Sequence, residues 1–160
     1  MKRRDALIGT ACGAAALLGA GRAAAHHGWS SFDTERPLYL EGRAEAVRWR
    51  NPHAELTLLL REGLALPADL ARRAVPAQTA AVDGAALLAR AALPTRRDRR
   101  WEVELAPLTR MGQWQVPVIA NGHDLAVLGF TFAGEKGDAV LRAEYLFLGG
   151  RIYGLRSSPA

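Results

Sequence analysis

Apolar and polar residues alternate, imperfectly, along residues 38–49, Leu38-Tyr39-Leu40-Glu41-Gly42-Arg43-Ala44-Glu45-Ala46-Val47-Arg48-Trp49. That is the period of a half-buried strand, and the internal Gly42 predicts a bulge or a sharp bend within it. Arg50-Asn51-Pro52 is turn chemistry, because Pro52 disfavours helix at Asn51, and a second strand is expected over 53–61. Alternation is strict at Trp101, Val103 and Leu105, which predicts a strand over 100–105 with those three side chains in the core. Residues 108–114 read as a short helical turn. Further strands are expected over 123–132 and 141–148, and Gly149-Gly150 is a hairpin turn into 151–155.

Residues 64–95 have a different texture. They are rich in Ala, Leu and Arg, which favour helix; Asp83 is placed to cap one, and Pro76 and Pro94 interrupt. We read a helical insertion at about 64–95 between two strands. Five or six short strands with one insertion, the first strand long and carrying a glycine, predict a mainly β protein. The leading architecture is a small OB-like β-barrel, and a β-sandwich is the alternative.

The N-terminus changes the picture. Lys2, Arg3 and Arg4 precede a charge-free run of small and apolar residues over 6–20, and Ala23-Ala24-Ala25 supplies small residues for a signal peptidase. The run is too short and too rich in Gly and Ala to be a membrane span, which needs roughly 20 strongly apolar residues. The expected organisation is therefore a cleaved signal peptide at 1–25, an N-terminal arm at 26–37, and one β-rich domain at 38–160. The expected location is the periplasm or the medium, with no transmembrane segment after cleavage. Arg3-Arg4-Asp5 before Ala6-Leu7-Ile8 resembles a twin-arginine signal, of the kind that exports proteins already folded; an ordinary secretory signal carrying two arginines is the alternative.

Without the leader the charge balance is nearly even. The whole chain has 21 basic and 16 acidic residues, a net of +5; residues 26–160 keep 17 and 15, a net of +2. That balance gives no ground for nucleic acid as a partner. The basic cluster Arg96, Arg97, Arg99 and Arg100 contains Asp98 and reads as a solvated loop. The single cysteine, Cys12, falls within the leader, so the mature domain has no disulfide, thiolate ligand or cysteine nucleophile.

No Gly-x-Ser-x-Gly, His-Glu-x-x-His, phosphate-binding loop or dinucleotide fingerprint is present, and no enzyme activity is legible. Glu102 and Glu104 share one strand face, which we read as solvated. The four histidines are His26, His27, His53 and His123. Cleavage after Ala25 would make His26 the N-terminus, so that its amine and imidazole could chelate one metal together with an imidazole from His27, His53 or His123. Cleavage before Ala25 would instead place His27 third, for a square-planar site of amine, two amides and imidazole. Both sets suit Cu(II), which tops the divalent affinity order, and the square-planar set suits Ni(II) as well. His123, in the turn Asn121-Gly122-His123-Asp124, reads as exposed. Trp29 lies in the polar arm and is the aromatic best placed to dock a partner.

Several of these residues also carry a family likeness. Ala25-His26-His27-Gly28-Trp29-Ser30-Ser31-Phe32-Asp33, Leu40-Glu41-Gly42, Val47-Arg48-Trp49, Asn51-Pro52-His53 and Trp101-Glu102-Val103-Glu104 resemble the motifs of a family of small exported bacterial proteins of unknown function. Its members open the mature chain with Ala-His-His and later carry Trp-x-Asn-Pro-His. The resemblance implies export, a small β-rich domain and interest in His26, His27 and His53; it implies no reaction. Two expectations follow. The first is a periplasmic protein holding a metal, copper, through His26, His27 and His53. The second is an OB-like module that binds a protein or small-ligand partner without metal, with Trp29, Trp49 and Asn51 as contact residues.

Overall fold

One strand belongs to both halves of the sheet. In the computed structural model, which describes residues 28–160, β1 (Leu38–Trp49) pairs antiparallel with β4 (Asp124–Phe130) along its first half and with β2 (Ala54–Leu60) along its second. Gly42 stands where the two partnerships overlap, opposite both Leu60 and Leu125. A Cβ there would lie 2.0 Å from the carbonyl oxygen of Leu59, so the residue is glycine because the β2 backbone occupies the space. The bulge expected near it comes four residues later: the register shifts between Glu45 and Arg48, where Ala46 takes φ 45°.

β3 (Arg100–Glu104) lies beside β2, and β5 (Val140–Leu148) beside β4. Parallel pairing of β3 with β5 then closes five strands into a mixed barrel, and β6 (Arg151–Gly154) adds an outer strand on β5. The OB-like barrel expected from the sequence is the architecture found. Leucines of β1 and β2, together with Trp101, Val103 and Leu105, fill the interior, and Met111 of α2 (Leu108–Gln113) joins them.

The outer faces of β4 and β5 are buried as well. Tyr39, Leu128, Phe130, Tyr145 and Phe147 form a second apolar layer outside the barrel, covered by Phe32 from the arm and by Leu70, Leu87 and Leu88 from the insertion. Burial on both faces explains why β4 reads as an unbroken apolar run rather than an alternating one. The insertion is helical only at α1 (Gly84–Ala89) and in the 3-10 turn Leu70–Arg72; the rest is irregular chain laid on the barrel. Asp83 caps α1, its carboxylate accepting from the Ala86 amide at 2.9 Å. Tyr39 N–H donates to the Ala92 carbonyl at 2.9 Å, tying the end of the insertion to β1. Among the described residues, no helix is long and apolar enough to cross a membrane.

The loop between β4 and β5 is held by Glu135, which is 8% exposed. Its carboxylate pairs with Arg36 and accepts the backbone amides of Thr95 at 2.9 Å and Arg96 at 3.0 Å. Burial pushes its pKa up, but the Thr95 amide, the Arg36 guanidinium and the Arg96 amide together outweigh that and bring it from 4.5 down to about 2.

The packing predicts how three substitutions behave. Gly42→Ala lowers stability by about 3 kcal/mol or prevents folding, because backbone rather than a pliable side chain must move. Gly112→Ala in α2, which meets nothing within 4 Å, is neutral or slightly stabilising; urea melts of the two variants check both. The depressed Glu135 pKa contributes stability that is fully present above the unfolded value and lost as pH falls from 4.5 towards about 2. Glu135→Gln flattens that acid slope in urea midpoints measured between pH 6 and 2.

Candidate functional site

The outward face of the barrel where β3 meets β5 carries charge in an ordered row. On β2, Ala54, Leu56, Leu58 and Leu60 point inward, which leaves Glu55 and Thr57 outside, with His53 on the same side by alternation. On β3, Trp101 and Val103 point inward and Glu102 and Glu104 outward. The registers then place Arg48 opposite Glu55, Glu55 opposite Glu104, and Glu104 opposite Arg142. Two carboxylates thus face each other across antiparallel strands, an arrangement that is destabilising by itself. An arginine at each end offsets it. Arg48 pairs with Glu55 and reaches Glu102 at 3.6 Å, while Arg142 donates to Glu104 at 2.9 Å. Glu104 is therefore not the solvated residue the strand pattern suggested: it is 7% exposed, because β5 closes over that edge of β3 and brings Arg142 against it.

Beyond Arg142 the row continues to the arm. Trp29 lies over two guanidinium groups, with Arg156 Cζ 4.0 Å and Arg142 Cζ 5.0 Å from the ring centroid, and packs edge-to-face on Phe130 at 6.2 Å. Arg156 in turn holds Glu144, which is 0% exposed. Gln78 from the insertion donates to the other oxygen of Glu144 at 3.0 Å and accepts the Ser157 amide at 3.0 Å. Glu144 is the extra residue of a bulge in β5: Leu128 opposes Tyr145 and Gly129 opposes Ala143, with Glu144 between them. A buried carboxylate is tolerated here because both of its oxygens have donors.

The residues singled out in the sequence distribute as follows. His53 precedes β2, half-buried, with its Nδ1 enclosed by protein. Trp29 is half-buried on the outer apolar layer, whereas Trp49 packs against the interior core, so the two do not form one surface. Asn51 is exposed, and its peptide bond to Pro52 is cis. His123 is exposed in the turn before β4. His26 and His27 lie outside the described residues. Among the described residues, no three His, Cys, Asp or Glu side chains converge as a metal would need. Pattern reasoning missed the Arg48-Glu55-Glu104-Arg142 row, because only strand register reveals it. Glu144 did leave a signal, as a lone carboxylate in the apolar run Ala143-Glu144-Tyr145-Leu146-Phe147-Leu148.

Residues 15–65 match the model of a family of unknown function (DUF6152). The likeness to the family covers the arm, β1 and β2, and with them His26, His27, Trp29, Trp49, Asn51 and His53. No curated protein and no solved structure matches the chain.

The Arg156–Glu144 pair generates a prediction. Arg156→Ala strands a buried carboxylate and removes a guanidinium from beneath Trp29. It costs about 3 kcal/mol, read by urea denaturation, and moves the tryptophan emission to longer wavelength.

Proposed function

We propose that the chain is an exported protein of the bacterial periplasm that binds a metal ion, copper, through His26, His27 and His53. The observation that carries this reading is the docking of Trp29. Its ring is anchored on Arg142 and Arg156, and Arg142 is bonded to Glu104 in the row that runs across β3 to Glu55, two residues from His53. His27 is two residues before Trp29 in the sequence, and that adjacency is what links the docked ring to the histidine pair in this reading.

The chemistry of the set supports copper. Two or three imidazoles with a free α-amine form a nitrogen environment that suits tetragonal Cu(II). The leader pattern supports export, and a twin-arginine route would deliver the barrel folded, with Trp29 already docked.

The test is made on protein exported from its own leader, with intact mass and metal content read on one sample. The expected result is a chain beginning at His26 with about one copper, and with stoichiometry lost in His53→Ala and in His27→Ala. Protein that arrives metal-free and takes up no Cu(II) at micromolar concentrations overturns the reading. So does unchanged stoichiometry and affinity in both variants.

A further inference from the structure

The 65–67 segment stands away from the outward face of β1 and β4 and leaves a cleft of about 740 Å³. That volume lies within the range of small-molecule sites. Its apolar part is made by Leu66, Pro67 and Ala126, and Leu66 is one of two large apolar side chains exposed among the described residues, at 40%. Its polar part is made by Tyr39, Glu41, Arg61 and Arg73.

The hydrogen bonds of that polar part do not balance. Glu41 has both oxygens engaged, one accepting from the Tyr39 hydroxyl at 2.9 Å and the other from Arg61 Nη1 at 2.6 Å. Asp69 likewise receives Arg73 through both oxygens, at 3.0 and 3.1 Å. The two carboxylates are spent, but a guanidinium has five N–H donors. Arg61 donates to Glu41 through Nη1 alone, and Arg73, beyond Asp69, has only the Tyr39 hydroxyl as an acceptor among the described residues, so both keep N–H donors to spare. Both arginines line the same cleft as the Tyr39 hydroxyl, and Arg73 is further fixed over the Phe147 ring at 5.6 Å. Burial and the adjacent Glu41 hold that hydroxyl protonated, which keeps it a donor. The cleft thus sets spare guanidinium donors beside an apolar wall.

We propose that this cleft binds small amphipathic carboxylates, with the carboxylate bridging Arg61 and Arg73 and the apolar body lying on Leu66, Pro67 and Ala126. Asp124 lines the β4 side of the same cleft, so a single negative charge is tolerated better than a phosphate dianion. The cleft's lining includes none of the residues of the metal reading, and the proposal does not rest on that reading.

The probe is 4-phenylbutyrate, titrated calorimetrically into the EDTA-treated full mature chain, with 4-phenylbutanamide, 4-phenylbutylamine, phenyl phosphate and acetate as comparisons. The expected result is one site for the carboxylate, with weaker binding of the amide and the phosphate and none of the amine or acetate. Arg73→Gln and Arg61→Gln each weaken it about tenfold, the effect of one charge-assisted hydrogen bond, while Arg61→Lys retains part of the affinity. Leu66→Ser weakens it severalfold, and the thermal melts of all variants show whether they are folded. Amide shifts at Ala65, Leu66 and Leu125 locate the ligand in the cleft. Equal affinity for the amide, unchanged affinity in folded Arg73→Gln, shifts elsewhere, or no binding up to millimolar concentrations overturns the proposal.

Discussion

Closing five strands into so small a barrel requires backbones to approach more closely than side chains allow, and most of this molecule is arranged around where that happens. Gly42 lets β1 pass from β4 to β2, and Gly129 lets β4 pass β5, where a Cβ would lie 2.2 Å from the Arg142 carbonyl oxygen. A barrel that closes in this way has no free edge between β3 and β5, and so it sets Arg142 against Glu104. The ion row, the seat of Trp29 and the covered outer face of β4 all follow from that closure.

The outer surface is divided between two kinds of cover. Over β1, β4 and β5 the insertion and Phe32 lay down a second apolar layer, which turns strands that would otherwise face water into buried ones. Over β2, β3 and the start of β5 the cover is electrostatic, carboxylates offset by arginines from flanking strands. Trp29 sits on the boundary, with an apolar contact to Phe130 and cationic contacts to Arg142 and Arg156. An aromatic ring suits a boundary of this kind, because its edge and its face present different chemistry.

Much of the barrel was legible because its strands obey local rules. Leu38–Trp49 was delimited by alternation and by the Asn51-Pro52 turn, and Trp101, Val103 and Leu105 by strict period two. The insertion was legible only as a change of texture. Its Ala and Leu favour helix, yet most of it is irregular, because Leu70 and Leu87 are placed by docking on the barrel rather than by a helical repeat. The site was the least legible part. Glu102 and Glu104 look alike in sequence, and only the parallel neighbour β5, distant along the chain, makes one of them buried. Gly42 was recognisable as special, but whether it bends, bulges or makes room depends on Leu59, which no local pattern names.

The bulge at Glu144 has a further consequence, one of parity. Before it, odd-numbered residues of β5, Leu141 and Ala143, face the barrel interior; after it, even-numbered ones do, Leu146 and Leu148. Tyr145 and Phe147 are thereby free to serve the outer layer. The extra residue works as a phase shifter: odd-numbered positions serve the interior before it and the outer layer after it. Such a strand tolerates changes of side chain far better than changes of length, because losing a single residue would exchange inside for outside along all that follows.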